Sequence, residues 1–126
     1  MRLLLDTNVL LWTLSGSSRI NDVRDLILST DTEVYVSTAS WWEIAIKTSI
    51  GKLNADIQVL RVASGQSGFL ELPVLGVHTE TLAKLPMLHK DPFDRLIVSQ
   101  AITEPMRLLT SDSELEAYSS LVQRID

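Results

Sequence analysis

Apolar positions along the chain follow two alternating rhythms. Short unbroken runs, rich in Leu and Val and closed by polar or turn-forming residues, predict buried strands at 2–5, 33–37, 69–72, 106–109 and 121–125, the last at a sheet edge. Between them, apolar residues recur at helical spacing and predict helices over 8–14, 21–29, 40–50, 55–63, 77–85 and 92–102, with a short one over 113–118. The clearest is 92–102, where Phe93, Leu96, Ile97 and Ala101 share one face. Punctuation supports these limits: Ser15-Gly16-Ser17-Ser18 breaks the first helix, Gly51 follows the third, and Pro86 stops the fifth. Strands alternating with helices predict an α/β fold of three layers, α/β/α, with a mostly parallel central sheet. There is no linker, repeat or low-complexity tract, so the expectation is one domain over 1–126.

Composition narrows the class. The chain is 45% hydrophobic and 21% charged, ordinary for a globular domain and unlike a disordered one. With no cysteine, a disulfide framework and a thiolate zinc site are both excluded. The apolar run after Met1 is shorter than a signal segment and Asp6 interrupts it. No stretch approaches a membrane span, so a soluble, cytoplasmic protein is expected. The net charge of −5 argues against a generic nucleic-acid binder, which is usually basic. Four clustered acids would carry most of that charge, and a divalent cation among them would cancel much of it.

Four acids stand at informative places. Asp6 follows the first strand, and Asp112 follows the fourth in Leu109-Thr110-Ser111-Asp112. Glu43 lies in Ser40-Trp41-Trp42-Glu43, a capping-box pattern with Ser40 as the cap. In His89-Lys90-Asp91-Pro92-Phe93-Asp94-Arg95, Pro92 suits the first helical position, which makes Asp91 the cap and Asp94 the third helical residue. Each acid alone is explained by capping or by the helix dipole. Together they occupy strand-to-helix junctions or first helical turns. In a parallel sheet such junctions face one crevice, beyond the carboxyl ends of the strands, where ligands bind. Carboxylates gathered there repel one another unless a cation joins them. All-oxygen donors suit Mg²⁺ or Mn²⁺, and His78 and His89 lack zinc-ligand spacing. The chemistry that follows is phosphoryl transfer with a metal-activated water.

The blocks Leu4-Leu5-Asp6-Thr7-Asn8-Val9-Leu10-Leu11-Trp12, Ser40-Trp41-Trp42-Glu43-Ile44-Ala45, His89 to Arg95 and Leu109 to Asp112 resemble, in order and spacing, PIN-domain proteins, particularly the VapC toxins of toxin–antitoxin systems. The resemblance implies a PIN-like fold and a Mg²⁺- or Mn²⁺-dependent endoribonuclease that hydrolyses RNA to leave 5′-phosphate and 3′-hydroxyl ends. It implies a cognate antitoxin as partner, and a homodimer, within a larger toxin–antitoxin complex. Residue by residue, it assigns catalysis and metal binding to Asp6, Glu43, Asp94 and Asp112. Thr7, Asn8, Asp91 and Ser111 are supporting candidates, with Asp91 equally a plain cap. Arg95, Lys47 and Lys52 are candidates for RNA contact, against surface ion pairing or solvation. Trp41, Trp42, Ile46 and Ile50 exceed what one buried helix face needs, so core packing and a protein interface both stand open for them, as for Trp12. Two other readings compete: a non-cleaving PIN-fold module that docks RNA or protein, and a Mg²⁺-dependent phosphatase. The phosphatase would want a second acid where Asn8 stands.

Overall fold

The computed structural model describes residues 1–125. Five strands form one sheet: β1 (Arg2–Leu5), β2 (Glu33–Ser37), β3 (Leu70–Leu72), β4 (Arg107–Thr110) and β5 (Val122–Arg124). Their order is β3-β2-β1-β4-β5, and every pairing is parallel. The helices are α1 (Thr7–Ser15), α2 (Arg24–Leu28), α3 (Thr38–Ser49), α4 (Ile57–Gln66), α5 (Gly76–Lys84) and α6 (Pro92–Thr103), with 3₁₀ turns at Ser18–Val23 and Ser113–Tyr118. The α/β expectation therefore holds, and the sheet is wholly parallel.

Alternation along β1 explains the layers. Leu3 and Leu5 pack on one face, with Val9 and Leu10 of α1, Ile27 of α2 and Ile44 of α3. Leu4 packs on the other, with Leu96, Ile97 and Ala101 of α6. All three leucines are fully buried, as central parallel strands covered on both faces must be. The chain runs from β1 to β2 on one side and later returns to β4 on the other. The gap between the carboxyl ends of β1 and β4 is thus the point where strand order reverses, the place where folds of this kind bind ligands.

Two expectations need correction. The helix expected over 21–29 is split, because the Ser17 side chain caps a 3₁₀ turn by accepting from Arg19 N–H, and Arg24 reaches back to Ser17 O and Asn21 Oδ1. The capping box at Ser40–Glu43 does not form. The cap lies three residues earlier, where Ser37 Oγ accepts from Ala39 N–H at 3.0 Å and donates to Gln100 Oε1 at 2.6 Å. Ser40 is buried inside α3, where it accepts from Thr7 Oγ1. Glu43 accordingly sits in the second turn, its carboxylate unused by the helix end. Among the described residues, no helix is long and apolar enough to cross a membrane.

Candidate metal centre

Asp6 is the hinge between β1 and α1. Its Oδ1 caps α1 by accepting from Val9 N–H at 2.8 Å, and its Oδ2 accepts from Thr110 Oγ1 at 2.6 Å. Capping and site membership are thus compatible in one carboxylate. The residue is only 4% exposed. Burial drives its pKa up to about 6 against the lowering effect of those two bonds, with the charges of Asp94 and Glu43 adding to the rise. Those charges show that three acids from separate elements lie in electrostatic reach.

Glu43 is buried on α3, close enough for its charge to act on Asp6 and Asp94. Its Oε2 accepts from Lys47 Nζ, one turn on, at 2.8 Å. Its Oε1 is buried with no hydrogen-bond partner. An orphaned carboxylate oxygen in a low-dielectric place is costly, and a cation would relieve it.

Asp91 caps α6 through Oδ1, which accepts from Phe93 and Asp94 N–H groups at 2.9 and 3.0 Å, with Pro92 in the first turn. Its charge reaches Asp94. That neighbour, partly buried at the start of α6, has its pKa raised to about 6, first by desolvation, then by Asp91 and Glu43, and a hydrogen bond from His89 opposes the rise. Asp112 follows β4. Its Oδ1 caps the 3₁₀ turn by accepting from Glu114 N–H, and its own N–H donates to Thr110 Oγ1 at 3.0 Å. Thr110 thereby joins the first acid to the fourth.

His89 completes the cluster. Nε2 lies 3.0 Å from Asp94 Oδ2 and 3.2 Å from Asp112 Oδ2, while Nδ1 lies 2.9 Å from Glu114 Oε2. Desolvation works to lower its pKa, but the bonds to Asp94 and Glu114 and the charge of Asp112 outweigh it, and the net direction is up. His89, Asp94 and Asp112 form a group whose ligating atoms all lie within 4.8 Å of one another. His89 lacks zinc-ligand spacing in the sequence, yet the loop before α6 folds back to bring it in. Its linear spacing carries no trace of that. Thr110 was also missed as a participant, although it ends the strand that presents Asp112.

The supporting candidates divide. Thr7 is buried and bonds Ser40, tying α1 to α3 beside Asp6. Asn8 is exposed and lines a groove of about 500 Å³ with Leu11, Trp12, Leu53 and Leu60, away from the acids. Ser111 adjoins the cluster, but the hydroxyl that reaches Asp6 belongs to Thr110. Lys47 is engaged by Glu43, which raises its pKa first through their hydrogen bond. Lys52 is exposed in the turn after α3. Arg95 donates to Leu85 O at 3.2 Å and its Nε is buried, so it is no surface ion pair. Of the tryptophans, Trp41 is buried, Trp12 packs partly against the core beneath Arg19, and Trp42 is 60% exposed with an edge-on contact to Phe93.

The donor set fits a divalent cation: clustered carboxylates with raised pKa values, one buried oxygen lacking a partner, and an imidazole nitrogen at the rim.

A family model described as the PIN domain matches residues 3–121. No curated protein sequence matches the chain. Solved structures do. VapBC2 from Rickettsia felis, bound to a DNA fragment from its promoter, is 17% identical with a TM-score of 0.76 and full coverage of both chains. DNA-bound VapBC from Salmonella typhimurium is 18% identical with a TM-score of 0.69, covering 100% of this chain and 99% of that one. VapBC-5 from Mycobacterium tuberculosis, a member of a toxin–antitoxin family, is 20% identical with a TM-score of 0.61, covering 98% and 97%. At these identities the likeness is one of fold.

Proposed function

We propose, from the fact that this chain belongs to the PIN domain family, that it is a divalent-metal-dependent endoribonuclease and the toxin of a toxin–antitoxin pair. The observation that carries the reading is the convergence of Asp6, Glu43 and Asp94 at the carboxyl edge of the sheet, with Asp112 joined to Asp6 through Thr110. Asp6, Glu43, Asp94 and Asp112 would hold Mg²⁺ or Mn²⁺. A cation bound there supplies a lowered pKa for a coordinated water and charge neutralisation on a phosphodiester. The protein's own contribution is to hold the carboxylates still: Val9 N–H and Thr110 fix both oxygens of Asp6, and Lys47 fixes one oxygen of Glu43. RNA would lose a phosphodiester bond to water, with 5′-phosphate and 3′-hydroxyl products. This route needs no 2′-hydroxyl nucleophile, so preference for RNA rests on shape and contacts.

A toxin role is supported by the toxin–antitoxin description of a solved relative and by the motif blocks shared with VapC-like proteins. An antitoxin partner and a homodimer are part of the proposal. Trp42, Ile46 and Ile50 form one exposed apolar stripe along α3 that suits a protein partner. The test is incubation of the antitoxin-free protein with a broad RNA panel in Mg²⁺, Mn²⁺ and chelator. Metal-stimulated cleavage that is lost in Asp6→Asn and Asp94→Asn is expected. Absence of cleavage across the panel leaves the non-cleaving docking module as the better account.

A further inference from the structure

We infer that His89 is a nitrogen ligand of the ion at the acidic cluster, its ring aimed by Glu114, so that the site prefers Mn²⁺ to Mg²⁺. This rests on the metal-site reading above and deepens it.

Three observations point the same way. Nε2 stands 3.0 and 3.2 Å from one oxygen each of Asp94 and Asp112, the separation of neighbouring ligands around an ion with bonds of about 2.1 Å. On the opposite side of the ring, Nδ1 meets Glu114 Oε2 at 2.9 Å. Without an ion, Nε2–H bonds these carboxylates; once that proton leaves, a neutral imidazole donating Nδ1–H to Glu114 turns the Nε2 lone pair toward the same two oxygens, where a cation would join all three. Carboxylate–histidine–metal relays are built this way, with the carboxylate fixing the tautomer and the ring plane. Finally, the backbone under His89 is pinned: Tyr118 Oη accepts from the N–H groups of both Leu88 and His89 at 3.1 and 3.0 Å. Glu114 and Tyr118 both belong to the 3₁₀ turn that Asp112 caps. One short element therefore presents a carboxylate, orients the imidazole and anchors the loop that bears it.

An imidazole in an otherwise carboxylate set shifts selectivity. Mg²⁺ favours hard oxygen donors, whereas Mn²⁺ accepts nitrogen and gains from it. The alternative is that His89 is only a counter-charge that metal must displace.

Electron spin-echo modulation of the untagged, Mn²⁺-loaded protein separates the two. Coupling to a directly bound ¹⁴N is expected in the wild type and its loss in His89→Gln. The chain's other histidine, His78, is fully buried against Glu104 and offers no competing signal. In parallel, calorimetric titration of His89→Gln and His89→Ala should show Mn²⁺ affinity falling about 10-fold or more, with Mg²⁺ within about 3-fold of wild type. Glu114→Ala should fall between. If Mn²⁺ binds without ¹⁴N coupling, or the His89 variants bind it as tightly or more tightly, His89 is not a ligand and the acidic site alone stands. If neither ion binds the wild type, this inference and the metal-dependent function fall together. The spectrum of the wild type decides ligation even where a variant folds poorly.

Discussion

Thr110→Val removes one hydroxyl and keeps the shape of the side chain, so it isolates what that hydroxyl does for Asp6. In the wild type Thr110 is fully buried, donates to Asp6 Oδ2 at 2.6 Å and accepts from Asp112 N–H at 3.0 Å. A hydrogen bond to an ionised group contributes roughly 1.5–3 kcal/mol, and a neutral one about 0.5–1.5 kcal/mol. Asp6 titrates near 6 in the folded chain, mainly because it is buried. At about pH 7.5 it is ionised, and the variant should lose roughly 2–3 kcal/mol, a fall in Tm of about 10 °C for a domain of this size. At about pH 5 the carboxyl is largely protonated in both proteins, and the loss should shrink by about 1 kcal/mol or more. The direction follows from the shift: the Thr110 bond lowers the Asp6 pKa, so its removal moves that pKa further up and penalises only the ionised state. Urea unfolding in chelator at the two pH values measures both numbers. An equal loss at both, or a larger one at pH 5, would refute an ionised Asp6 held by Thr110.

The same shifts set the response to metal. Asp6 and Asp94 both have folded pKa values raised from 3.8 to about 6, so their ionisation opposes folding, and this cost is full above 6 and is relieved progressively as pH falls from 6 toward 3.8. Metal-free protein should therefore gain stability from these two groups between about pH 7.5 and 5, and saturating Mn²⁺ should raise Tm more at the higher pH, where protons do not compete; differential scanning fluorimetry reads both. Asp91→Ala should lower stability by about 1–2 kcal/mol through loss of the α6 cap. Because the Asp91 charge raises Asp94, the variant should also shift the Asp94 carboxyl signal in carbon NMR toward a lower pKa, while metal affinity stays well above that of Asp94→Asn. Ser37→Ala should cost about 1 kcal/mol or more, since it removes the α3 cap and leaves Gln100 Oε1 without its buried donor. Trp42→Ser should leave thermal unfolding nearly unchanged, because most of that side chain is exposed, and should reduce in light scattering the fraction of the proposed homodimer.

The sequence made the sheet legible because its central strands are covered on both faces. Leu3, Leu4 and Leu5 can be apolar without alternation only where both layers are helical, and that pattern implies parallel strands and a crevice at their carboxyl ends. Asp6 and Asp91 were legible as caps because the bond a cap accepts is local, two or three residues away. The cap of α3 was not legible for the same local reason: Ser40 and Glu43 satisfy a capping box on paper, but Ser37 wins the helix end through a partner 63 residues distant, Gln100. That outcome matters to chemistry, since a Glu43 spent on capping its own helix would not present a buried oxygen without a partner. His89 was illegible because, apart from Asp94 in the same block, the groups its ring meets come from fold-back, with Glu114 lying 25 residues further along. Local rules thus place the carboxylates at the edge of the sheet, and contacts distant in sequence decide which of them remain free to take up an ion.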